Sequence, residues 1–92
     1  MSQFIIQCDI NTEVSHQIDA LRPQHLNYIK GKSNILYGGV MLGESGNYIG
    51  ICYVIKADAI SDAEGFVKGD PYLPLYRKYA ITKFVQKIPA NA

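Results

Sequence analysis

The stretch Tyr48 to Ala57, Y-I-G-I-C-Y-V-I-K-A, decides the fold. Successive residues of a strand point to opposite faces. Ile49, Ile51, Tyr53, Ile55 and Ala57 therefore fall on one side, and Tyr48, Gly50, Cys52 and Val54 on the other before Lys56 is reached. Both sides are apolar, and such a strand belongs in a sheet that is covered on both faces. Just before it, Gly43 to Asn47, G-E-S-G-N, is a short polar turn of the kind that closes a hairpin, which gives an earlier strand over Asn34 to Leu42.

Further out, Phe4 to Ile10 sets Phe4, Ile6, Cys8 and Ile10 against Ile5, Gln7 and Asp9, and reads as the first strand. From Glu13 to Lys30 the residues Val14, Ile18, Leu21, His25 and Ile29 recur at helical spacing, and Leu26 widens the stripe. Pro23 predicts a kink or a restart inside that helix, because an interior proline costs about 3 kcal/mol. Gly31 ends it. After the hairpin, Ser61 and Glu64 have the spacing of a capping box, Ala63, Phe66 and Val67 give a short helix one apolar side, and Gly69 stops it. Lys78 to Lys87 supplies the last strand, in which Tyr79, Ile81, Lys83 and Val85 alternate with Ala80, Thr82, Phe84 and Gln86.

The order β-α-β-β-α-β is that of a ferredoxin-like α+β domain, here a single one over residues 1–92. Its four-stranded antiparallel sheet carries both helices on one face. The chain has no further element for the other face, so the apolar Cys52 side of the third strand predicts a homodimer packed sheet against sheet.

Nine basic and eight acidic residues leave a net charge of +1, which offers little to a phosphate backbone or an anionic membrane. The RNA-recognition use of this topology needs a basic and aromatic pattern on the third strand that Y-I-G-I-C-Y-V-I lacks, so no nucleic-acid partner is expected. M-S-Q-F-I-I-Q-C-D-I has neither the basic start nor the apolar core of a signal peptide, no apolar run approaches the ~20 residues of a membrane span, and a cytoplasmic location is expected. A loose tail is expected only from Pro89 to Ala92. Cys8 and Cys52 fall on opposite faces of the sheet and are read as buried, reduced thiols.

Two punctuated stretches hold the polar residues of interest. R-P-Q-H-L, Arg22 to Leu26, sets His25 on the inward stripe of the first helix, where it is either a hydrogen-bonded core histidine or a working one. His16 lies off the stripe and is read as solvated. G-D-P-Y, Gly69 to Tyr72, places Asp70 where it caps the turn that starts at Pro71. No metal-ligand spacing, G-x-S-x-G elbow or phosphate-cradling glycine loop is present.

F-I-I-Q-C-D near the start, R-P-Q-H-L, Y-G-G-V-M-L-G in the second strand and K-G-D-P-Y together resemble the YCII-related proteins, from Phe4 to Phe84. The resemblance implies a dimeric α+β barrel related in fold to muconolactone isomerase, with a His/Asp pair in its active site. Carried onto this sequence the pair is His25 and Asp70, with Asp9, Arg22 and Tyr72 as substrate contacts. Leu73, Pro74, Leu75 and Tyr76 replace the small residues the family tends to have there, and predict a bulkier pocket wall. Lys83 replaces a proline and bears on the sheet edge.

A capping carboxylate can also orient a histidine, by holding one ring N–H while the other nitrogen takes a proton. The resulting expectation is a cofactor-independent isomerase or lyase acting on a small cyclic or aromatic molecule, with His25 as general acid/base and Asp70 as its orienting partner. The alternative is a non-catalytic dimeric module that binds a small molecule or a protein through the same cleft. A pocket holding both side chains within about 3 Å favours the enzyme; a buried pair without a pocket favours the module.

Overall fold

A computed structural model describes residues 1–89, and the expected tail beyond Pro89 lies outside them. The elements are β1 (Ser2–Ile10), a 3-10 helix (Thr12–Gln17), α1 (Ile18–Lys30), β2 (Ile35–Leu42), β3 (Tyr48–Ala57), α2 (Ile60–Lys68), a second 3-10 turn (Leu73–Leu75) and β4 (Tyr76–Phe84). The strands form one antiparallel sheet in the order β2-β3-β1-β4. This is the ferredoxin-like arrangement expected of the element order.

The core lies on one face. Phe4, Ile6, Cys8 and Ile10 of β1 and Ile51, Tyr53, Ile55 and Ala57 of β3 are buried against Ile18 of α1 and Ala63, Phe66 and Val67 of α2. Cys8 lies opposite Ile51 and Gln7 opposite Cys52, so the two thiols point to opposite faces and both are free. The other face carries Ile5, Cys52 and Val54 at its centre, with Tyr37 and Met41 from β2 and Ala80, Thr82 and Phe84 from β4 paired beside them. Tyr37 on that face is 60 % exposed.

Several boundaries differ from the reading of the sequence. The first helical segment divides at Gln17, not at Pro23: Asn11 accepts the Glu13 N–H at 3.0 Å and opens the 3-10 helix, and α1 runs through the proline. Pro23 removes the N–H that would reach the Asp19 carbonyl, but Ile18, Leu21, His25 and Ile29 pack inward on both sides of it and hold the helix on the sheet. Leu26 does not widen the buried stripe; it is 56 % exposed. The helix α2 starts before Ser61. Ala59 is its N-cap, Asp62 accepts the Ala59 N–H at 3.1 Å, and Glu64 accepts from the Tyr79 hydroxyl at 2.9 Å instead of closing a box with Ser61. The strand β4 covers Tyr76–Phe84, not Lys78 to Lys87, because it pairs along β1 from Ile10 to Gln3 and β1 then runs out. In the β2–β3 pairing an irregularity at Met41/Leu42 puts an extra β3 residue opposite one of β2, which reverses the alternation there. Tyr48, expected on the bare face, consequently joins Ile51 and Tyr53 in lining a cavity on the helix side.

Candidate active site

The connection after α2 fixes the carboxylate. Gly69 closes the helix by donating to the Gly65 carbonyl at 3.0 Å, and Asp70 N–H reaches the Val67 carbonyl at 3.1 Å. Its Oδ1 then accepts the Tyr72 N–H at 2.9 Å, and its carbonyl accepts the Leu73 N–H at 2.9 Å. Asp70 thus caps the turn through Pro71, as its place between glycine and proline suggests.

The helix α1 brings the histidine to it. Tyr28, on the C-terminal part of α1, donates to the Phe66 carbonyl at 2.8 Å and packs its ring against Phe66 at 5.8 Å between centroids. A Cβ at position 69 would stand 2.7 Å from the Tyr28 oxygen, so glycine there admits the clamp between the two helices. His25 lies one turn before Tyr28 and Ile29 on the inward stripe, and its Nδ1 meets Asp70 Oδ1 at 2.8 Å. Both side chains are buried, His25 at 8 % and Asp70 at 3 % exposure. Tyr72 lies flat on the imidazole, with ring centroids 3.9 Å apart and 6° between planes.

Two tyrosines complete the arrangement. The Tyr76 hydroxyl donates to Asp70 Oδ2 at 2.5 Å. The Tyr53 hydroxyl stands 3.4 Å from Asp70 Oδ2 and 3.4 Å from His25 Nε2. Burial acts to raise the Asp70 pKa, yet the hydrogen bonds from His25, Tyr76 and the Tyr72 backbone outweigh it and hold the carboxyl below the usual range. Burial first, and then the neighbouring groups around Asp70, push the Tyr53 and Tyr76 pKa values up. An ionised Asp70 can only accept, so in neutral His25 the proton is on Nδ1 and Nε2 carries the lone pair.

His25 opens onto a cavity of about 290 Å³ between α1 and the β2–β3 hairpin. Its walls are mainly apolar, from Ile18, Leu26, Ile29, Ile35, Val40 and Ile51, with Arg22, Tyr48, Tyr53 and Tyr72 as polar members beside the histidine. Asp70 lies behind His25 and does not line it. The volume suits a single ring with a few substituents.

Of the five residues expected at the site, the structure brings four together. His25 and Asp70 touch, Tyr72 stacks on the imidazole, and Arg22 sits on the cavity wall with its guanidinium 2.8 Å from Asp19. Burial raises the Tyr72 pKa and the charge of Arg22 opposes that shift. Asp9 lies elsewhere: on the bare face of β1, it faces Arg77 at 3.4 Å and Lys78 at 3.7 Å and does not line the cavity. Leu73, Pro74, Leu75 and Tyr76 do not form a wall of the cavity either. Leu75 is fully buried in the core and Tyr76 serves Asp70, so their bulk goes beneath the site.

Tyr53 and Tyr76 are site residues that the sequence does not single out. The available signal was a tyrosine in the inward stripe of β3, among aliphatic residues, where a buried hydroxyl needs a partner. His16 is exposed, as read from its place off the stripe. Among the described residues no three His, Cys, Asp or Glu side chains are grouped to hold a metal ion, and no helix is long and apolar enough to cross a membrane.

Known proteins share this architecture. The 5-chloro-2-hydroxyhydroquinone dehydrochlorinase TftG from Burkholderia phenoliruptrix, solved in complex with 2,5-dihydroxybenzoquinone, superposes with a TM-score of 0.83 at 20% identity, over 91% of this chain and 94% of that one. SnoaB, a cofactor-independent oxygenase from Streptomyces nogalater, superposes with a TM-score of 0.56 at 8% identity, over 95% of each chain. No curated protein matches the sequence. The family model of the YCII-related domain matches residues 2–85. With that match over most of its length, and with the architecture described above, this chain belongs to the YCII-related domain family.

Proposed function

We propose that the protein is a cofactor-independent acid/base enzyme of the lyase or isomerase type, acting on a small hydroxylated single-ring molecule, with His25 as the proton-transfer group and Asp70 as its orienting partner. The observation that carries this reading is the 2.8 Å contact of His25 with an ionised carboxylate at the wall of a ring-sized apolar cavity. Family membership and the likeness to a dehydrochlorinase that holds a quinone add support. The substrate ring lies among the apolar walls, and Nε2 takes a proton from a ring hydroxyl or an acidic ring carbon. The electron pair left behind delocalises into the ring. Either it collects the proton again from the imidazolium at another atom, which is an isomerisation, or it expels a leaving group such as chloride, and the histidine then loses its proton to water. Asp70 stays ionised throughout and stabilises the imidazolium, and such catalysis is worth about 10²- to 10⁴-fold. Arg22 and Tyr72 are the substrate contacts of this reading. Asp9, ion-paired on the other face, has no part in binding within one chain.

The working form is a homodimer that packs its bare sheet faces together, since the exposed Tyr37 and the half-buried Ile5, Cys52 and Phe84 otherwise leave that face without a cover, although Val54 is already buried within one chain. Two free cysteines suit a reducing, cytoplasmic location. Sedimentation at micromolar concentration gives twice the chain mass, and Tyr37→Glu, at an exposed position on the bare face, returns a folded monomer. A parent protein that sediments as a monomer overturns the dimer. A turnover screen over hydroxylated and halogenated aromatics and small lactones, with His25→Ala as control, tests the chemistry. Conversion that survives in His25→Ala removes the histidine from the chemistry, and ligands that raise the melting temperature without being converted leave the binding module as the better reading.

A further inference from the structure

The Tyr53 and Tyr76 hydroxyls both face Asp70, but they are bound differently. Tyr76 donates to Oδ2 of Asp70 at 2.5 Å, also approaches the Tyr53 hydroxyl and the Cys8 thiol, and does not line the cavity. Its hydrogen is committed. Tyr53 lines the cavity and stands at the same 3.4 Å from two acceptors, Oδ2 of Asp70 and Nε2 of His25. That distance is long for an O–H donor, whose usual value is about 2.7–2.8 Å. Its one hydrogen is therefore free to serve either side.

The ring that carries this hydroxyl is held from three directions. Phe66 packs edge-on against it at 5.1 Å between centroids and 75° between planes. His25 lies tilted to it at 6.4 Å. On the β2 side, a Cβ at position 38 would come within 2.9 Å of Tyr53 Cδ1 and 3.0 Å of the Cys52 carbonyl, so Gly38 leaves the ring its place on the sheet. A ring fixed this firmly, with a hydroxyl that is not, has the build of a positioning group.

Resting on the proposed acid/base reading of His25, we propose that Tyr53 is a positioning residue that links the cavity-facing nitrogen of His25 to the same carboxylate that holds the other nitrogen. When Nε2 carries its lone pair, the Tyr53 hydrogen points to it and orients the ring. When Nε2 gains a proton from the substrate, that N–H donates to the Tyr53 oxygen and the Tyr53 hydrogen turns to Oδ2. A closed ring of hydrogen bonds then runs from Oδ1 through Nδ1, the imidazole, Nε2 and the Tyr53 hydroxyl back to Oδ2. No covalent bond of Tyr53 is made or broken, and the tyrosine returns to its first orientation when the proton leaves. Asp70 thereby acts on both nitrogens, one directly and one through Tyr53, while Tyr76 keeps Oδ2 in place.

Tyr53→Phe tests this, because it keeps the ring against Phe66 and Gly38 and removes only the hydroxyl. In the ligand-free protein, ¹⁵N spectra of the His25 imidazole are compared between parent, Tyr53→Phe and Tyr76→Phe. The expected result is a shift of the Nε2 resonance toward that of a free imine nitrogen in Tyr53→Phe, with Nδ1 unmoved, and a larger effect on Nδ1 than on Nε2 in Tyr76→Phe. An Nε2 resonance that does not respond to Tyr53→Phe overturns the inference, whether or not the protein turns over any compound. With a substrate from the screen, Tyr53→Phe lowers kcat about 10- to 100-fold, the range of one hydrogen bond to a charged group, and leaves KM nearly unchanged. Equal losses in Tyr53→Phe and in a packing control such as Phe66→Leu mean that Tyr53 is merely structural. A shifted Nε2 in a protein that converts nothing supports the linkage and counts against the enzyme reading alone.

Discussion

Asp70→Asn is the substitution whose consequences the geometry fixes most closely. The Asp70 carboxylate accepts from His25 Nδ1 at 2.8 Å and Tyr72 N–H at 2.9 Å on Oδ1, and from Tyr76 at 2.5 Å on Oδ2. An asparagine must keep its oxygen at the Oδ1 position, because its NH₂ there would face the Tyr72 N–H donor to donor. The NH₂ then replaces Oδ2 opposite Tyr76, whose hydrogen loses its acceptor. That bond, to a charged group, was worth about 1.5–3 kcal/mol, and the two retained bonds each weaken by about 1 kcal/mol when the charge goes. Relief from burying a carboxylate offsets part of the loss. The net destabilisation at neutral pH is about 2–3 kcal/mol, which at a urea slope of about 1 kcal/mol per M moves the midpoint down by about 2–3 M.

The pH dependence of that difference is the sharper measurement. The folded-state pKa of Asp70 lies below its unfolded value of about 3.9. Its contribution is therefore fully present above that value. As pH falls further, toward and through the folded pKa, the unfolded chain takes up the proton first, and the contribution is lost. Urea unfolding of parent and Asp70→Asn at equal protein concentration should show the variant less stable from pH 7 to pH 5, with a gap that closes as pH drops below about 4. The other carboxylates titrate in both proteins and cancel. A gap that stays the same down to pH 3, or a variant as stable as the parent at pH 7, refutes the assignment of Asp70 as an ionised, multiply bonded group.

Three further outcomes follow from the same geometry. His25→Gln and Asp70→Asn should each cost about as much activity as the double substitution, since residues that act as a unit are non-additive, and multiplicative losses in kcat/KM would separate them. Gly38→Ala should destabilise by about 1–3 kcal/mol through its contacts with Tyr53 Cδ1 and the Cys52 carbonyl, and should perturb the Tyr53 ring resonances before any other aromatic; an unperturbed ring would show that β2 yields instead. A thiol reagent should reach Cys8 only on unfolding, because burial pushes that thiol up to about 12, and non-reducing electrophoresis should find no Cys8–Cys52 link.

The fold was legible because it rests on periods and punctuation that act locally. The two-sided apolar run of Tyr48 to Ala57, the inward stripe of α1 and the stops at Gly31 and Gly69 each follow from nearest-neighbour geometry, and the observed order β2-β3-β1-β4 is the topology that their sequence allows. The features that differ from the sequence reading are set by partners in other elements. The end of β4 depends on where β1 runs out, the side of Tyr48 depends on an irregularity in its pairing with β2, and the start of α2 depends on which carboxylate reaches the Ala59 N–H. None of these is written in the element concerned.

The candidate site divides along the same line. The place of Asp70 between a helix stop and a proline was enough to predict a fixed, capped carboxylate, and the stripe was enough to turn His25 inward. That the two meet across 45 residues depends on the Tyr28 hydroxyl tying α1 to the Phe66 carbonyl over a position without a side chain. The resemblance to a family supplied the pairing in advance of that geometry, but it supplied neither tyrosine. A capped carboxylate has four lone-pair directions, and the cap and the histidine use only Oδ1. Burial at 3 % exposure leaves Oδ2 a cost that other donors must offset. The chain meets that demand with hydroxyls, from Tyr76 just after the turn and from Tyr53 across the sheet, which can donate without adding charge. A buried Asp–His pair at a cavity wall therefore implies further donors on the far carboxylate oxygen, and a tyrosine on an inward strand stripe is where to look for them.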